Sequence, residues 1–379
     1  MRFLHLGDLH LGKSLGDFDL IRDQAYILDQ ILDIAKEKKA DALLIAGDVY
    51  DKSIPSEAAV NLLDSFLEKL AKERIKAFII SGNHDSDDRL HYGSRLFEAN
   101  GIYIRAKYEG RVSHVEMEDS FGKLKIFMLP FIKASQVRHY FPDEKIDGYE
   151  EAVRAAFAHE AINPSERNIL IAHQFVAGAS DPVLAGSEGP SAQSVGTVEK
   201  IGVDAFKIFD YVALGHIHSP QKVGREEVRY AGSPLKYSLN EAMGQKSVPV
   251  VTLAEKGDVQ IELAALKPLR DLRHIRGPMR KLLDKSHIED PEDFIYATLT
   301  DEDFIPDAAS IFREYYPNTV KIDYDNARTK EIGQVSVEDL SEGKSFGELI
   351  ADFYQLIYGV SISEEEAVLM EQVAKEAGL

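Results

Sequence analysis

Through the first half of the chain, short apolar runs alternate with amphipathic stretches. MRFLHLG, ADALLIAG, IKAFIISG, NILIAHQ and DYVALGHIH are each rich in Ile, Leu, Val or Ala, and each ends in Gly or a polar cluster, the pattern of buried strands. Between the first two, Ile21, Ala25, Leu28, Leu32 and Ala35 recur at helical spacing. Between the second and third, Ala59, Leu63, Phe66 and Leu70 do the same, and Pro55 suits a first helical turn. This alternation predicts an α/β layered fold. The later runs LKIFMLPFI and VRYAGSP lack helical spacers, so antiparallel pairing and a mixed sheet are expected.

Near residue 267 the pattern changes. Lys267 to Lys285 carries seven Lys or Arg against two Asp, a basic island. Beyond it, strand-like DFIYATLTD and NTVKIDYD flank a helical AASIFREYY, which reads as a small α+β domain. The expected organisation is a large α/β domain over 1–266, the small domain over 267–327, a polar linker over 328–345 and a helical tail over 346–379. In that tail Phe346, Leu349, Ile350, Phe353, Leu356 and Ile357 form one apolar face, and Ser363 with Glu366 reads as a capping box.

Composition narrows the chemistry. With 44 Lys plus Arg against 64 Asp plus Glu among 379 residues, the net charge is −20, so nucleic-acid binding by bulk charge is excluded. The longest uncharged stretch, Asn168 to Ser180, spans thirteen residues, too few for a membrane helix, and the N-terminus lacks the apolar core of a signal peptide. A cytoplasmic protein is expected. The absence of Cys excludes thiolate metal sites and cysteine nucleophiles. Any metal must be held by His, Asp, Glu or Asn.

The strand ends supply such groups. They read Asp8-x-His10, Gly47-Asp48-x-x-Asp51, Gly82-Asn83-His84-Asp85, His173-Gln174 and Gly215-His216-x-His218, and they contain five of the twelve His residues. The carboxyl ends of strands are where α/β sheets place ligands. Imidazole, carboxylate and carboxamide donors favour divalent ions such as Mn, Fe, Mg or Zn. Seven such donors exceed one ion's needs and fit a two-metal centre, which activates water and clamps the oxygens of a displacement at phosphorus. His5, inside its strand, reads as a core histidine, and Asp85 as a loop cap.

The ordered set DLH, GDVYD, GNHD, AHQ and GHIH resembles the calcineurin-like metallophosphoesterase superfamily. SDxRLHYGS, FDYVALGHIHSPQ and YAGSPLKYSLNEA-x-x-QKSV resemble, more closely, the SbcD family, nuclease subunits of bacterial SbcC/SbcD DNA repair complexes. The resemblance implies a two-sheet sandwich flanked by helices, with a capping domain and a partner-binding tail. It implies that Asp8, His10 and His218 bind one ion, that Asn83, His173 and His216 bind the other, and that Asp48 bridges, with Mn²⁺ preferred. His84 is then the catalytic group that acts on the scissile phosphate or protonates the leaving oxygen, and Asp51 stands where related phosphatases hold a carboxylate that orients it. Lys52-Ser53 replaces the Arg-Gly of protein phosphatases, which argues against a phosphoprotein substrate.

The implied activity is an Mn²⁺-dependent DNA nuclease, a 3′ to 5′ duplex exonuclease and single-strand endonuclease. It would act with an SbcC-like ATPase, as a homodimer within a heterotetramer, in DNA repair. Arg270, Arg273, Arg276, Arg280 and Lys281 are the candidate DNA contacts, and Phe346, Leu349, Ile350, Phe353 and Ile357 the candidate partner face. The competing readings are a small-molecule or cyclic-nucleotide phosphoesterase on the same scaffold and a non-catalytic DNA-end scaffold.

Overall fold

The structure, a computed structural model, describes residues 1–188, 200–286, 288–303, 305–326, 347–351, 354 and 361–377. The chain divides into two compact units, Met1–Asp271 and Leu272–Leu379.

In the first unit the predicted alternation holds. Strand β1 (Arg2–Leu6) leads to helix α1 (Ile21–Glu37), β2 (Ala42–Ala46), α2 (Glu57–Lys72), β3 (Lys76–Ile80) and β4 (Ile102–Arg105). There follow β5 (Ser113–Asp119), β6 (Gly122–Leu129), α3 (Ala134–Tyr140), α4 (Tyr149–Ala158), β7 (Arg167–His173) and β8 (Tyr211–Gly215). The unit closes with β9 (Gln221–Val223), β10 (Arg225–Tyr230), β11 (Ser247–Leu253) and β12 (Val259–Ala265). Pro55 lies just outside α2. Ser56 is the N-cap, its hydroxyl accepting the Ala59 N–H at 3.2 Å, so the first turn starts at Glu57.

Two six-stranded sheets result, β12-β11-β1-β2-β3-β4 and β9-β10-β8-β7-β6-β5. Both are mixed, as expected, but the antiparallel pairings sit toward the edges. β6 pairs parallel to β7 because α3 and α4 lie between them, and β10 pairs parallel to β8 because the edge strand β9 intervenes; each is antiparallel only to its outer neighbour. The inner faces share one core, in which Phe3, Leu44, Phe78 and Val251 meet Ile126, Ile169 and Tyr211, all fully buried. Burying each such side chain contributes roughly 1.5–3 kcal/mol. The β1, β2, β3, β7 and β8 carboxyl ends carry the polar clusters.

Residues 267–271 are tied to this first unit. Lys267 exchanges hydrogen bonds with Gln30, and Arg270 holds the buried Asp23 through two nitrogens.

The second unit is built on β13 (Leu272–Gly277), α5 (Met279–Leu282), β14 (Phe294–Leu299), α6 (Ala308–Arg313) and β15 (Thr319–Tyr324). All three strands are parallel in the order β13-β14-β15, so the unit is α/β and not α+β: a helix follows each of the first two strands and returns the chain in the same direction. Ile295, Leu299, Phe312 and Tyr316 fill its core. The basic island thus spans a strand and a short helix with the loops beside them.

Residues 347–351 are helical, and α7 (Glu364–Ala377) opens on the predicted capping box: Ser363 Oγ accepts the Glu366 N–H at 3.3 Å, and Glu366 Oε2 accepts the Ser363 N–H at 3.0 Å. The expected linker and Phe346, Phe353, Leu356 and Ile357 lie outside the described residues. Among the described residues no helix is long and apolar enough to cross a membrane.

Candidate metal centre

The loops after the strands bring all seven candidate ligands together. Asp8, His10, Asp48 and His216 have φ of +55°, +43°, +47° and +99°, and they are four of only eight non-glycine residues with positive φ among the described residues. Backbone held in this sparsely populated region is typical of sites where geometry is imposed by function. Two glycines allow the sheets to meet here. A Cβ on Gly215 would lie 1.8 Å from the Ala46 carbonyl oxygen, and one on Gly47, at φ +82°, would lie 2.4 Å from His173 Nδ1.

The donor atoms converge in two groups. His10 Nε2 lies 3.1 Å from His218 Nε2, with Asp8 beside them; His173 Nε2 and His216 Nδ1 lie 3.1 and 2.9 Å from Asn83 Oδ1. Asp48 stands between them. Its Oδ1 accepts the His84 N–H at 2.8 Å, while Oδ2 lies 3.6 Å from His10 Nε2 and 3.3 Å from His173 Nε2. This is the position of a bridging carboxylate.

Hydrogen bonds behind the cluster set the tautomers. His173 Nδ1 donates to the Ala46 carbonyl at 2.7 Å, so its Nε2 is the coordinating atom. Ser187 Oγ donates to Glu241 at 2.8 Å and therefore accepts from His218 Nδ1 at 2.6 Å, leaving the His218 Nε2 lone pair facing His10. Asp8 Oδ1 accepts the His216 N–H at 2.9 Å, but its Oδ2 is buried with no partner among the described residues. Facing lone pairs and an orphaned carboxylate oxygen are costly in a dry interior and are what divalent cations would satisfy. The donor set fits two hard or borderline ions.

Electrostatics agree. Burial holds His10 and His218 below the usual histidine range and pushes His216 down to about 3, so all three are neutral, as ligands must be. Burial also pushes Asp8 up to about 7. Burial opposes charge on His173 and on Asp48, yet their mutual attraction prevails, pushing His173 up to about 9 and holding Asp48 well below the carboxylate range. His173 thus carries a proton where a cation would sit.

His84 packs edge-on against His10 with ring centroids 4.9 Å apart. Its partner differs from the expectation. His84 Nδ1 donates to the Asp51 backbone carbonyl at 3.0 Å, and the Asp51 carboxylate turns away to Lys13 Nζ at 2.7 Å and His10 Nδ1 at 3.4 Å. The backbone carbonyl is the nearer acceptor because Asp51 N–H is anchored to the Leu11 carbonyl at 3.2 Å, which fixes the loop beneath His84. Although burial alone would raise it, the pull of His10 and Lys13 holds the Asp51 carboxyl well below its ordinary range. Asp51 belongs to His10, not His84.

Asp85 is the loop cap its position suggests. Its carboxylate accepts the N–H groups of Val49, Tyr50 and Gly82 at 3.0, 2.9 and 2.9 Å, joining the loops that carry Asp48 and Asn83. His5 is a satisfied core histidine, bonded to Tyr211 and the Leu214 carbonyl.

Several supporting residues escaped the sequence reading. Gln24, buried on α1, donates to the His10 carbonyl at 2.7 Å and accepts the Gly12 N–H at 2.9 Å. Tyr237 donates to the Leu9 carbonyl at 2.5 Å and packs edge-on against His10 and His218. Lys246, buried, donates to the His218 carbonyl at 2.9 Å and to Glu241 at 2.5 Å. Gln24 was detectable as a polar residue on an apolar helical stripe. Tyr237, Glu241 and Lys246 all lie within YAGSPLKYSLNEA-x-x-QKSV, which therefore has a physical role as the wall behind His218.

The sequence of the chain matches known proteins. Residues 1–220 match the family model described as calcineurin-like phosphoesterase. The chain belongs to that family. Within this phosphoesterase family it is similar to the D component of the SbcCD nuclease of Staphylococcus epidermidis, 34% identical over 326 residues and covering 85% of each chain. Residues 268–358 match the model described as type 5 capsule protein repressor C-terminal domain. Among solved structures, a dimetal phosphatase from Danio rerio covers 71% of this chain and 98% of its own, at 11% identity and a TM-score of 0.39.

The basic island is mostly engaged internally. Arg270 pairs with Asp23, Arg273 with Asp293 and the Glu289 and Asp290 carbonyls, and Arg276 with Asp325. Arg280 and Lys281 are exposed on α5. Leu349 and Ile350 are half-buried in the 347–351 helix, and α7 exposes Val368, Leu369, Met370 and Val373.

Proposed function

We propose that this chain is a divalent-metal-dependent DNA nuclease, with Mn²⁺ its preferred metal, that works with an SbcC-type ATPase in processing DNA ends. The observation that carries the reading is the convergence of Asp8, His10, Asp48, Asn83, His173, His216 and His218, with His84 at its edge, in a chain akin to a component of a nuclease. Bound ions would supply Lewis-acid charge at the phosphoryl group and acidify water.

The residues around them do the positioning. Asp8, His10 and His218 would hold one ion, Asn83, His173 and His216 the other, and Asp48 both. The His84 ring, fixed by its Nδ1–H bond to the Asp51 carbonyl, has Nε2 free to hold a proton for the leaving oxygen. In 3′ to 5′ cutting, water oxygen bonds to phosphorus and the P–O3′ bond breaks. The O3′ takes the His84 proton, the water's proton passes to solvent, and a 5′-mononucleotide leaves.

Arg280 and Lys281 are the proposed phosphate contacts of the second unit, and the exposed apolar residues of α7, with Leu349 and Ile350, support a partner-binding tail. The proposed compartment for work on DNA with such an ATPase is the cytoplasm. The test is nucleotide release from linear duplex DNA in Mn²⁺, with EDTA and His84→Ala as controls. Release that survives both controls would refute the proposal, and hydrolysis confined to small phosphodiesters would favour a small-molecule phosphoesterase.

A further inference from the structure

Against the ligand cluster lies a cavity of about 330 Å³, lined by Asn83, Asp87, Asp88, Phe131, Lys133 and Gln136 among others. Its volume falls in the roughly 300–1,000 Å³ range of small-molecule sites. Asn83 is common to the cavity and the cluster, so anything bound here is one side chain from the chemistry. Phe131 is half-buried. Its N–H is anchored to the Ser81 carbonyl at 3.0 Å, and its ring lies nearly parallel to that of His216 (centroids 6.4 Å apart, 27°) and edge-on to that of His173 (6.2 Å, 82°). An aromatic ring so fixed is a platform for a nucleobase, and stacking of this kind is sequence-tolerant.

Two further features fix which nucleoside. His84 packs at the His10 end of the cluster and Phe131 at the His173 and His216 end. If the leaving oxygen departs beside His84, the nucleoside that retains the phosphate extends toward Phe131. In addition, the cavity rim carries Asp87 and Asp88, with Lys133 its only cation among the described residues and Lys107 paired to Asp88. Carboxylates here repel a phosphate and accept from a hydroxyl.

We infer that this cavity holds the 3′-terminal nucleoside of a DNA strand, its base on Phe131 and its free 3′-hydroxyl toward Asp87 and Asp88, so that a strand end is selected over strand interior. The inference rests on the nuclease reading above.

Four p-nitrophenyl esters test it on the full chain in Mn²⁺: methyl p-nitrophenyl phosphate, thymidine 5′-(p-nitrophenyl phosphate), the latter carrying a 3′-phosphate, and thymidine 3′-(p-nitrophenyl phosphate). The methyl ester is the reference within each variant, so any general loss of activity cancels. Stacking on an aromatic ring corresponds to roughly 5- to 150-fold. Wild type is expected to favour the thymidine ester over the methyl ester by at least about fivefold in kcat/KM. Phe131→Ala loses that ratio and Phe131→Trp keeps it. The 3′-phosphate abolishes the preference in wild type, and the Asp87→Asn, Asp88→Asn double variant restores it. A fluorescence titration of an oligonucleotide with 3′-terminal 2-aminopurine gives an independent reading: quenching by wild type and the Trp variant, none by Phe131→Ala. Equal rates on methyl and thymidine esters, or a preference for thymidine 3′-(p-nitrophenyl phosphate), overturn the inference while leaving a working hydrolase. Hydrolysis of none of the esters, together with intact DNA, overturns the nuclease reading itself.

Discussion

Replacing Asp51 with Asn separates two roles for this carboxylate. If it oriented His84, the substitution would lower turnover and shift its pH dependence while leaving metal affinity intact. The structure instead sets its Oδ1 3.4 Å from His10 Nδ1 and 2.7 Å from Lys13 Nζ, with His10 fully buried. A carboxylate behind a ligating histidine raises its basicity and fixes its ring, and losing one costs about 10- to 100-fold in metal affinity. The 3.4 Å contact is long, and Asn keeps one oxygen to face His10, so the lower end applies: about tenfold, or about 1.4 kcal/mol. Asp51→Ala, which also strands Lys13, should cost more. Mn²⁺ affinity is read by competition with a fluorescent chelator, and nucleotide release from linear duplex DNA at saturating Mn²⁺, whose alkoxide leaving group needs the His84 proton, is read separately. The expected result is weaker affinity with turnover largely recovered at saturation. His84→Ala should do the reverse, keeping affinity and losing roughly 10²- to 10⁴-fold in turnover. Unchanged affinity with lost turnover in Asp51→Asn would refute the assignment to His10.

Metal binding should tighten with pH, because protons on His173 (about 9) and Asp8 (about 7) must leave first: near pH 6 both are bound, between 7 and 9 only that on His173, so the gain per pH unit falls from about a hundredfold toward about tenfold. Calorimetry in buffers of different ionisation enthalpy measures the protons released, and affinity flat from pH 6 to 8 contradicts the assignment. Arg270→Ala should destabilise the chain by about 3–5 kcal/mol in urea melts, since Asp23 would be left as an unpaired buried carboxylate, with no change in the salt slope of DNA binding. Arg280→Ala and Lys281→Ala should leave stability within about 0.5 kcal/mol and each reduce that slope by about 1. Gly215→Ala should prevent soluble folding, because its Cβ would overlap the Ala46 carbonyl oxygen at 1.8 Å; a soluble variant with normal Mn²⁺ affinity would disprove the close approach.

The parts legible in sequence were those with a short-range signature. Five strands, two helical stripes and the candidate ligand set declare themselves because candidate ligands at strand ends lie within a few residues of the apolar run that positions them. What stayed hidden depended on backbone geometry or on distant partners. Asp51 sits three residues after Asp48, yet only the path of the loop decides whether carbonyl or carboxylate meets His84. Lys246 and Glu241 are unremarkable charges in sequence, and their burial behind His218 follows from long-range packing. The ion pairs of the basic island were hidden for a related reason: composition counts cations but not the acids that fold against them, and Asp23 is 247 residues from Arg270. In the second unit β13 was concealed by that same charge, so a parallel α/β sheet read as α+β.

On the nuclease reading, the acidity of the site would tie DNA binding to bound metal ions. Asp8, Asp48, Asp51 and Asp85 lie within one small region of a chain of net charge −20, and Lys13 and Lys246 beside it are already paired with Asp51 and Glu241. A phosphodiester approaching such a surface meets repulsion that two divalent ions would reverse. On the nuclease reading, the ions therefore do more than activate the reaction: they make the site receptive to a polyanion at all. DNA affinity measured by anisotropy with His84→Ala, which retains every ligand, should then rise steeply with Mn²⁺ and collapse in His173→Ala. Tight binding of DNA to the isolated chain in EDTA would show that another surface, such as that around Arg280 and Lys281, supplies the attraction instead.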